Sequence, residues 1–312
     1  MNILLIYNHY AVSSGRYMTD AFKRLGHDVR HIGPAHGRSI WGMDVAERYV
    51  WMPDDLADAS FDWKPDLVII MDSDPRILDE ADQYSNVAPV VVYGVDNHVR
   101  DYRRPWFEHY FLAHRGVSMM AWEYNTGVHP EPSRILQYPN LTWLPCAYDP
   151  MLFTSSPIPY AEREFDVCMI GVMYPRRWQL VNELRAAGLK VLAGTGLLFE
   201  DYRDAYHNAR ISLCVSAAGD VAQRVFETAA MGCAVASDYC PDFKLLKPEG
   251  IFIKQMDGLV EEVIKMSRAS GVDGAAEFSK AWVRPHTWDA RAQTIIDWLQ
   301  KRQAGETAHV TE

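Results

Sequence analysis

Residues 211–238 read ISLCVSAAGDVAQRVFETAAMGCAVASD. An apolar run (211–216) leads into a loop of small residues. A helical pattern over 221–231 follows, then Gly232, then a second apolar run (233–238). Near-continuous apolar runs of this length suit strands covered on both faces, so the stretch reads as a strand–helix–strand unit of a parallel sheet. One pair sits oddly in the apolar helix. Arg224 and Glu227 are three apart near its start and share a face. They are either a surface ion pair, which stabilises little, or part of a ligand site at the helix N-terminus.

The same alternation runs outward in both directions. Downstream of 160 the further strand candidates are 166–171, 190–194 and 251–254, with helices at 178–188 and 199–209. The first half offers runs at 3–7, 28–33, 66–71, 89–95 and 142–148, and a weaker one at 109–114. Between the first two runs, Met18, Ala21, Phe22 and Leu25 form a helical stripe that Gly26 can stop. The pattern predicts an α/β protein with two Rossmann-like, doubly wound domains. A length of 312 residues agrees with two domains of about 150 residues each. Residues 149–160, with three prolines and two serines, read as the linker. The expected division is 1–150, 151–285, a C-terminal helix over 286–303 that packs back on the first domain, and a disordered tail over 304–312.

A net charge of −10 argues against a whole-surface grip on nucleic acid. The five cysteines have no CxxC spacing and read as reduced thiols of a cytoplasmic protein. The N-terminal apolar run is too short for a signal peptide, and no run reaches the roughly 18 apolar residues that span a bilayer, so stable membrane insertion is not expected.

In open parallel sheets ligands sit beyond the carboxyl ends of the strands. The loop at 171–180, GVMYPRRWQL, supplies Gly171 for a tight turn and Arg176 and Arg177 at a helix start. Cations there oppose the helix dipole unless an anion is held, and a diphosphate is the natural one. In the loop at 216–227, Ala217, Ala218 and Gly219 permit close backbone approach. Arg224 then suits phosphate, and the Glu227 carboxylate suits two vicinal hydroxyls, as on a ribose. Ser13, Ser14 and Gly15 follow the first strand, where Ser13 or Ser14 can cap a helix. Asp96, Asn97 and His98 end another strand candidate, where Asp96 could act as a base and His98 could orient a hydroxyl. The run from Arg100 to Tyr110 interleaves basic and aromatic residues, suited to an acceptor or to ordinary helix packing. Asp72, Ser73 and Asp74 match a DxD metal motif, but Asp74 before Pro75 reads better as a helix N-cap. No histidine spacing suggests zinc.

The segment RVFETAAMGCAVASD, with DVCMIG and the paired arginines before it, resembles the C-terminal half of CgeB-like, spore-maturation-type glycosyltransferases. More broadly it resembles retaining, group 1/4-like glycosyltransferases of the GT-B fold. WLPCAYDPMLF (143–153) resembles the interdomain segment of that fold, and KPDLVII (64–70) also fits. The resemblance implies a nucleotide-diphosphate sugar as donor. It implies Glu227 on the nucleotide ribose, Arg176 or Arg177 on the diphosphate, and His98 near the transferred sugar. Ser14 and Gly15 match the loop that approaches the donor phosphate. Retention of configuration follows from the resemblance alone. The earlier Glu of the family's E-x7-E pattern falls at Gly219, and its neighbour Asp220 is the weak substitute for contact with the donor sugar.

The sequence therefore predicts a glycosyltransferase, hexosyl or pentosyl, working without metal or other cofactor. Arg176 and Arg224 would stabilise the leaving diphosphate. The acceptor could be a glycan, a lipid-linked carrier, a protein or a nucleic-acid base. An epimerase of the same fold and a non-catalytic sugar- or nucleotide-binding protein are the alternatives. An oxidoreductase is disfavoured because the first loop lacks GxGxxG.

Overall fold

The structure is a computed structural model that describes residues 1–40, 43–54, 63–71, 81–94, 118–121, 141–216 and 221–304. It divides into two units, Met1–Pro145 with Trp288–Glu312, and Cys146–Thr287. The break falls at Pro145, so residues 149–160 belong to the second unit rather than lying between two. Asp149 accepts from the Met151 and Phe153 amides in a turn there, Phe153 is buried, and Ser156 Oγ donates to His207 O.

The first unit holds a six-stranded sheet. Its strands are β1 (Asn2–Ile6), β2 (Asp28–Ile32), β3 (Leu67–Ile70), β4 (Val90–Gly94), β5 (Ser118–Ala121) and β6 (Leu141–Trp143). The order is β2-β1-β3-β4-β5-β6 and every pairing is parallel. Ile3, Leu5 and all of β3 are fully buried, as strands covered on both faces should be. Helix α1 (Ser14–Arg24) is capped by Ser13, whose Oγ accepts from the Arg16 amide at 3.2 Å. Its buried face carries Tyr17, Met18, Ala21 and Phe22. Leu25, expected in that stripe, is instead the C-cap and is exposed, and Gly26 follows at φ 82°. Helix α2 (Ala81–Ser85) precedes β4. The C-terminal stretch rejoins this unit: Trp288 is fully buried with its ring edge-on to Tyr93, and Arg24 pairs with Asp289 at 2.7 Å.

The second unit holds five parallel strands: β7 (Phe165–Ile170), β8 (Val191–Gly194), β9 (Ala209–Cys214), β10 (Ala234–Asp238) and β11 (Ile251–Lys254). Their order is β8-β7-β9-β10-β11, which reverses direction between β7 and β9. A reversal of this kind leaves a crevice at the strands' carboxyl ends. The helices are α3 (Pro175–Ala186), α4 (Phe199–His207), α5 (Gln223–Ala230), α6 (Phe243–Leu246), α7 (Met256–Arg268) and α8 (Val272–Val283). The last helix of the chain, α9 (Trp288–Gln303), belongs to the first unit. Helix α3 starts three residues before the expected 178, because Pro175 fits the first helical position. Val167, Met169, Val181, Leu184, Leu213 and Val263 anchor the core between sheet and helices. All five cysteines are buried. Among the described residues no helix is long and apolar enough to cross a membrane.

Candidate functional site

The β7–α3 and β9–α5 loops meet at the topological reversal of the second sheet. Gly171 ends β7 at φ 146°, a left-handed conformation that glycine adopts without strain. A Cβ at this position would overlap Arg224 Nη2 and come within 3.9 Å of Arg177 Nη1. Two guanidinium groups therefore converge over one bare stretch of backbone. Arg224 is half-buried, and its Nε and Nη1 are buried without a hydrogen-bond partner among the described residues. Burial opposes its charge, but the acidic groups of Tyr206, Tyr202, Cys214 and Glu227 hold its pKa above the ordinary arginine value. It is a permanent cation with two idle donors.

Helix α5 has no side-chain cap and no acid in its first turn, and the same is true of α3. The dipoles of the two helices add partial positive charge beside the arginines. Chemically the arrangement, an arginine cradle, suits an anion.

Arg177 and Arg176 play different parts. Arg177 is buried and donates from Nη1 to Val172 O at 2.6 Å and from Nη2 to Val215 O. One guanidinium thus ties the two loops together through their backbones, which leaves Nε as its buried, unpartnered donor. Burial, then repulsion by Arg224, lowers its pKa from the usual arginine value. Arg176 is exposed. The start of α3 is thereby inverted: an arginine faces the core, while Trp178 and Tyr174 are 39% and 47% exposed.

Glu227 does not pair with Arg224. Its Oε1 accepts from Gln223 Nε2 at 2.6 Å and its Oε2 from Tyr202 OH at 2.7 Å. The carboxylate is buried, and burial raises its pKa, while Gln223, Tyr202 and Arg224 pull it back. The surface ion pair offered by the sequence is therefore replaced by a buried carboxylate with two neutral donors. Tyr202 lies on α4 and was not foreseen from the sequence. Gln223 was also missed, although its spacing of four from Glu227 on one helix was the available signal.

In the first unit, Ser14 opens α1 and Gly15 lies against Tyr7, whose ring a Cβ there would overlap. Nearby, Tyr7 stacks on His9 at 4.2 Å, His9 Nε2 meets His31 Nδ1 at 2.9 Å, and His31 stacks on Trp51. Trp51 Nε1 donates to Tyr7 OH, and Asp54 accepts from the His31 amide. Asp96, His98, Gly219, Asp220, the DxD motif at 72–74 and the run at 100–110 lie outside the described residues. Among the described residues no cluster of three or more His, Cys, Asp or Glu could hold a metal ion.

A hollow of about 430 Å³ lies by Ser156, Tyr160, Arg163 and Gly232, and a second of about 380 Å³ by Tyr148, Phe153 and Arg284. The first sits near the amino ends of β9 and β10, since Arg163 Nη1 donates to Ala209 O and Gly232 O. Neither touches the arginine cradle. The residue chemistry places the candidate site at the opposite, carboxyl edge, where sheets of this topology hold ligands.

Residues 157–297 match a family model described as glycosyl transferase-like. Solved structures share the architecture over nearly the whole chain. A sucrose-phosphate synthase from Thermosynechococcus elongatus superposes with a TM-score of 0.64 at 9% identity, covering 98% of this chain and 100% of that one. Alr3699/HepE from Anabaena, in complex with UDP-glucose, gives 0.64 at 13%, covering 96% and 99%. A glycosyltransferase from Rickettsia africae gives 0.62 at 9%, covering 96% and 98%. The fold is GT-B. At these identities the likeness establishes the GT-B architecture and nothing finer. No curated protein matches the chain. Within the GT-B chain, the matched region contains every residue of the arginine cradle and Glu227.

Proposed function

We propose that this protein is a glycosyltransferase that takes a nucleotide-diphosphate sugar as donor. The observation that carries the reading is Arg224, a cation with two unpartnered buried nitrogens beside Gly171 at the sheet's reversal. A diphosphate supplies the missing acceptors, and its charge suits two uncapped helix starts. The match of residues 157–297 to a glycosyl transferase-like family supports the same reading. Glu227 would receive the ribose hydroxyls. Arg177 would hold the two loops in register while lending its charge, and the exposed Arg176 would act as an outer cation. Because Alr3699/HepE holds UDP-glucose, a uridine nucleotide is the first donor to test. The motifs at 160–255 favour the CgeB-like subtype and, by resemblance, retention.

Transfer breaks the bond between the anomeric carbon and the terminal phosphate oxygen, and forms one to an acceptor hydroxyl oxygen. Negative charge grows on the departing diphosphate as the sugar becomes oxocarbenium-like. Fixed cations and helix N–H groups stabilise that charge without reorganising, so we propose that no metal is needed. Asp96 and His98, outside the described residues, are our candidates for accepting the acceptor's proton and orienting its hydroxyl. The acceptor class stays open among glycan, lipid carrier, protein and nucleic-acid base.

The test is a panel of UDP-, GDP- and ADP-sugars, with hydrolysis and transfer followed by mass spectrometry, with and without chelator. One donor should turn over in both conditions and fail with Arg224→Met. Turnover that survives that substitution removes the cradle from the mechanism. Turnover abolished by chelator revives the metal route.

A further inference from the structure

Glu227 is held from both sides, and the way it is held specifies what more it can bind. We infer that Tyr202 and Gln223 are positioning residues that act through Glu227 to make the site select ribose over 2′-deoxyribose, an inference that rests on the donor-site reading above.

A carboxylate offers about four acceptor positions, two on each oxygen. Gln223 Nε2 occupies one on Oε1 and Tyr202 OH one on Oε2. One position is left on each oxygen, which matches a pair of adjacent hydroxyls. Two donors on different oxygens also fix the plane of the group, where a single donor would leave it free to turn. The donors are themselves fixed. Gln223 Oε1 accepts from Cys146 Sγ at 3.4 Å, which turns the amide so that its NH₂ faces Glu227. The Tyr202 ring is wedged edge-on to Phe153 and against Tyr206, at 5.9 and 4.8 Å between centroids. Burial, and then the facing Glu227, keep the phenol protonated, so it remains a donor.

Glu227 is buried, so its two spare acceptor positions have little bulk water to satisfy them. A ligand that lacks one hydroxyl leaves one of them unmet. A site built around a hydroxyl rejects the analogue without it far more strongly than an apolar pocket rejects a missing methylene. Loosening the carboxylate should weaken that rejection.

The experiment measures, by calorimetry, the affinity of the tightest binder among UDP, ADP and GDP and of its 2′-deoxy counterpart. The intact protein should prefer the ribose form by about tenfold or more. Tyr202→Phe, which keeps the ring, and Gln223→Met should each cut that ratio several-fold, mainly by weakening the ribose form. Glu227→Gln sets the scale of full loss. Equal weakening of both nucleotides by Tyr202→Phe and Gln223→Met would show a merely structural role and overturn the inference. So would an unchanged ratio in both variants while Glu227→Gln lowers it. If none of the three nucleotides binds the intact protein, the donor-site reading itself falls, and this inference with it. Thermal melting of each variant within a degree or two of the parent checks that the fold is kept.

Discussion

Each unit gathers buried polar side chains beyond its first strand, but by opposite means. In the first, Tyr7, His9, His31 and Trp51 stack and bond to one another. They form a neutral cluster in which each ring serves as another's neighbour. In the second, Arg224 and Arg177 crowd over Gly171, and Arg224 keeps two buried nitrogens idle. Burying a neutral polar group is cheap once it is bonded, whereas burying a charge without a partner is costly. The first cluster leaves one buried ring nitrogen, His9 Nδ1, without a hydrogen-bond partner among the described residues. The second leaves two charged guanidinium nitrogens of Arg224 in that state, and on the proposed donor-site reading an anion would take them up.

The sharpest way to break this contrast is Arg224→Met. We expect nucleotide affinity to fall by about a hundredfold, while the ligand-free protein gains no stability, because the surrounding groups already favour the charged guanidinium. Calorimetry and chemical denaturation read the two effects. Unchanged nucleotide affinity in the folded variant would remove the guanidinium from the site, and the contrast would collapse.

Gly171→Ala comes next. The new Cβ meets both a left-handed φ and Arg224 Nη2. We expect a loss of about 1–3 kcal/mol in stability and about tenfold in nucleotide affinity. Neutral behaviour in both assays would show that the cradle can shift.

The first cluster predicts a pH signature. Burial, then the neighbouring His31, lowers the His9 pKa from 6.5 to about 4, with Asp54 acting in the opposite sense. Between those values the unfolded chain holds a proton that the fold does not. Stability should therefore fall as pH is lowered through that window and level off below it. The His9 contribution is at most about 3 kcal/mol. Denaturation midpoints between pH 7 and pH 4 test this, and His9→Phe should flatten the slope. The smallest effect belongs to the exposed Arg176, where Ala should change donor affinity only a few-fold.

Much of the second sheet was legible because its strands are covered on both faces and their apolar runs are nearly unbroken. β5 escaped notice because SMMA is four residues long and opens with a serine. The arginines were legible in part: Arg176 and Arg177 oppose a helix dipole at one helix start, which is the ground for expecting an anion there. Which arginine turns inward was not legible, since a surface reading puts Trp178 in the core and Arg177 outside, the reverse of what is found. Nor was the grip on Glu227, because Tyr202 comes from the preceding helix and only folding brings it within 2.7 Å.

Arg177 grips carbonyl oxygens, and a carbonyl is the same whatever residue bears it. The tie between the loops at Val172 and Val215 is thus indifferent to the side chains at those positions. Over evolutionary drift the two loops can change in composition without the scaffold losing its brace. Lysine could not take over the post, because a single ammonium nitrogen cannot reproduce the planar fork that reaches both carbonyls.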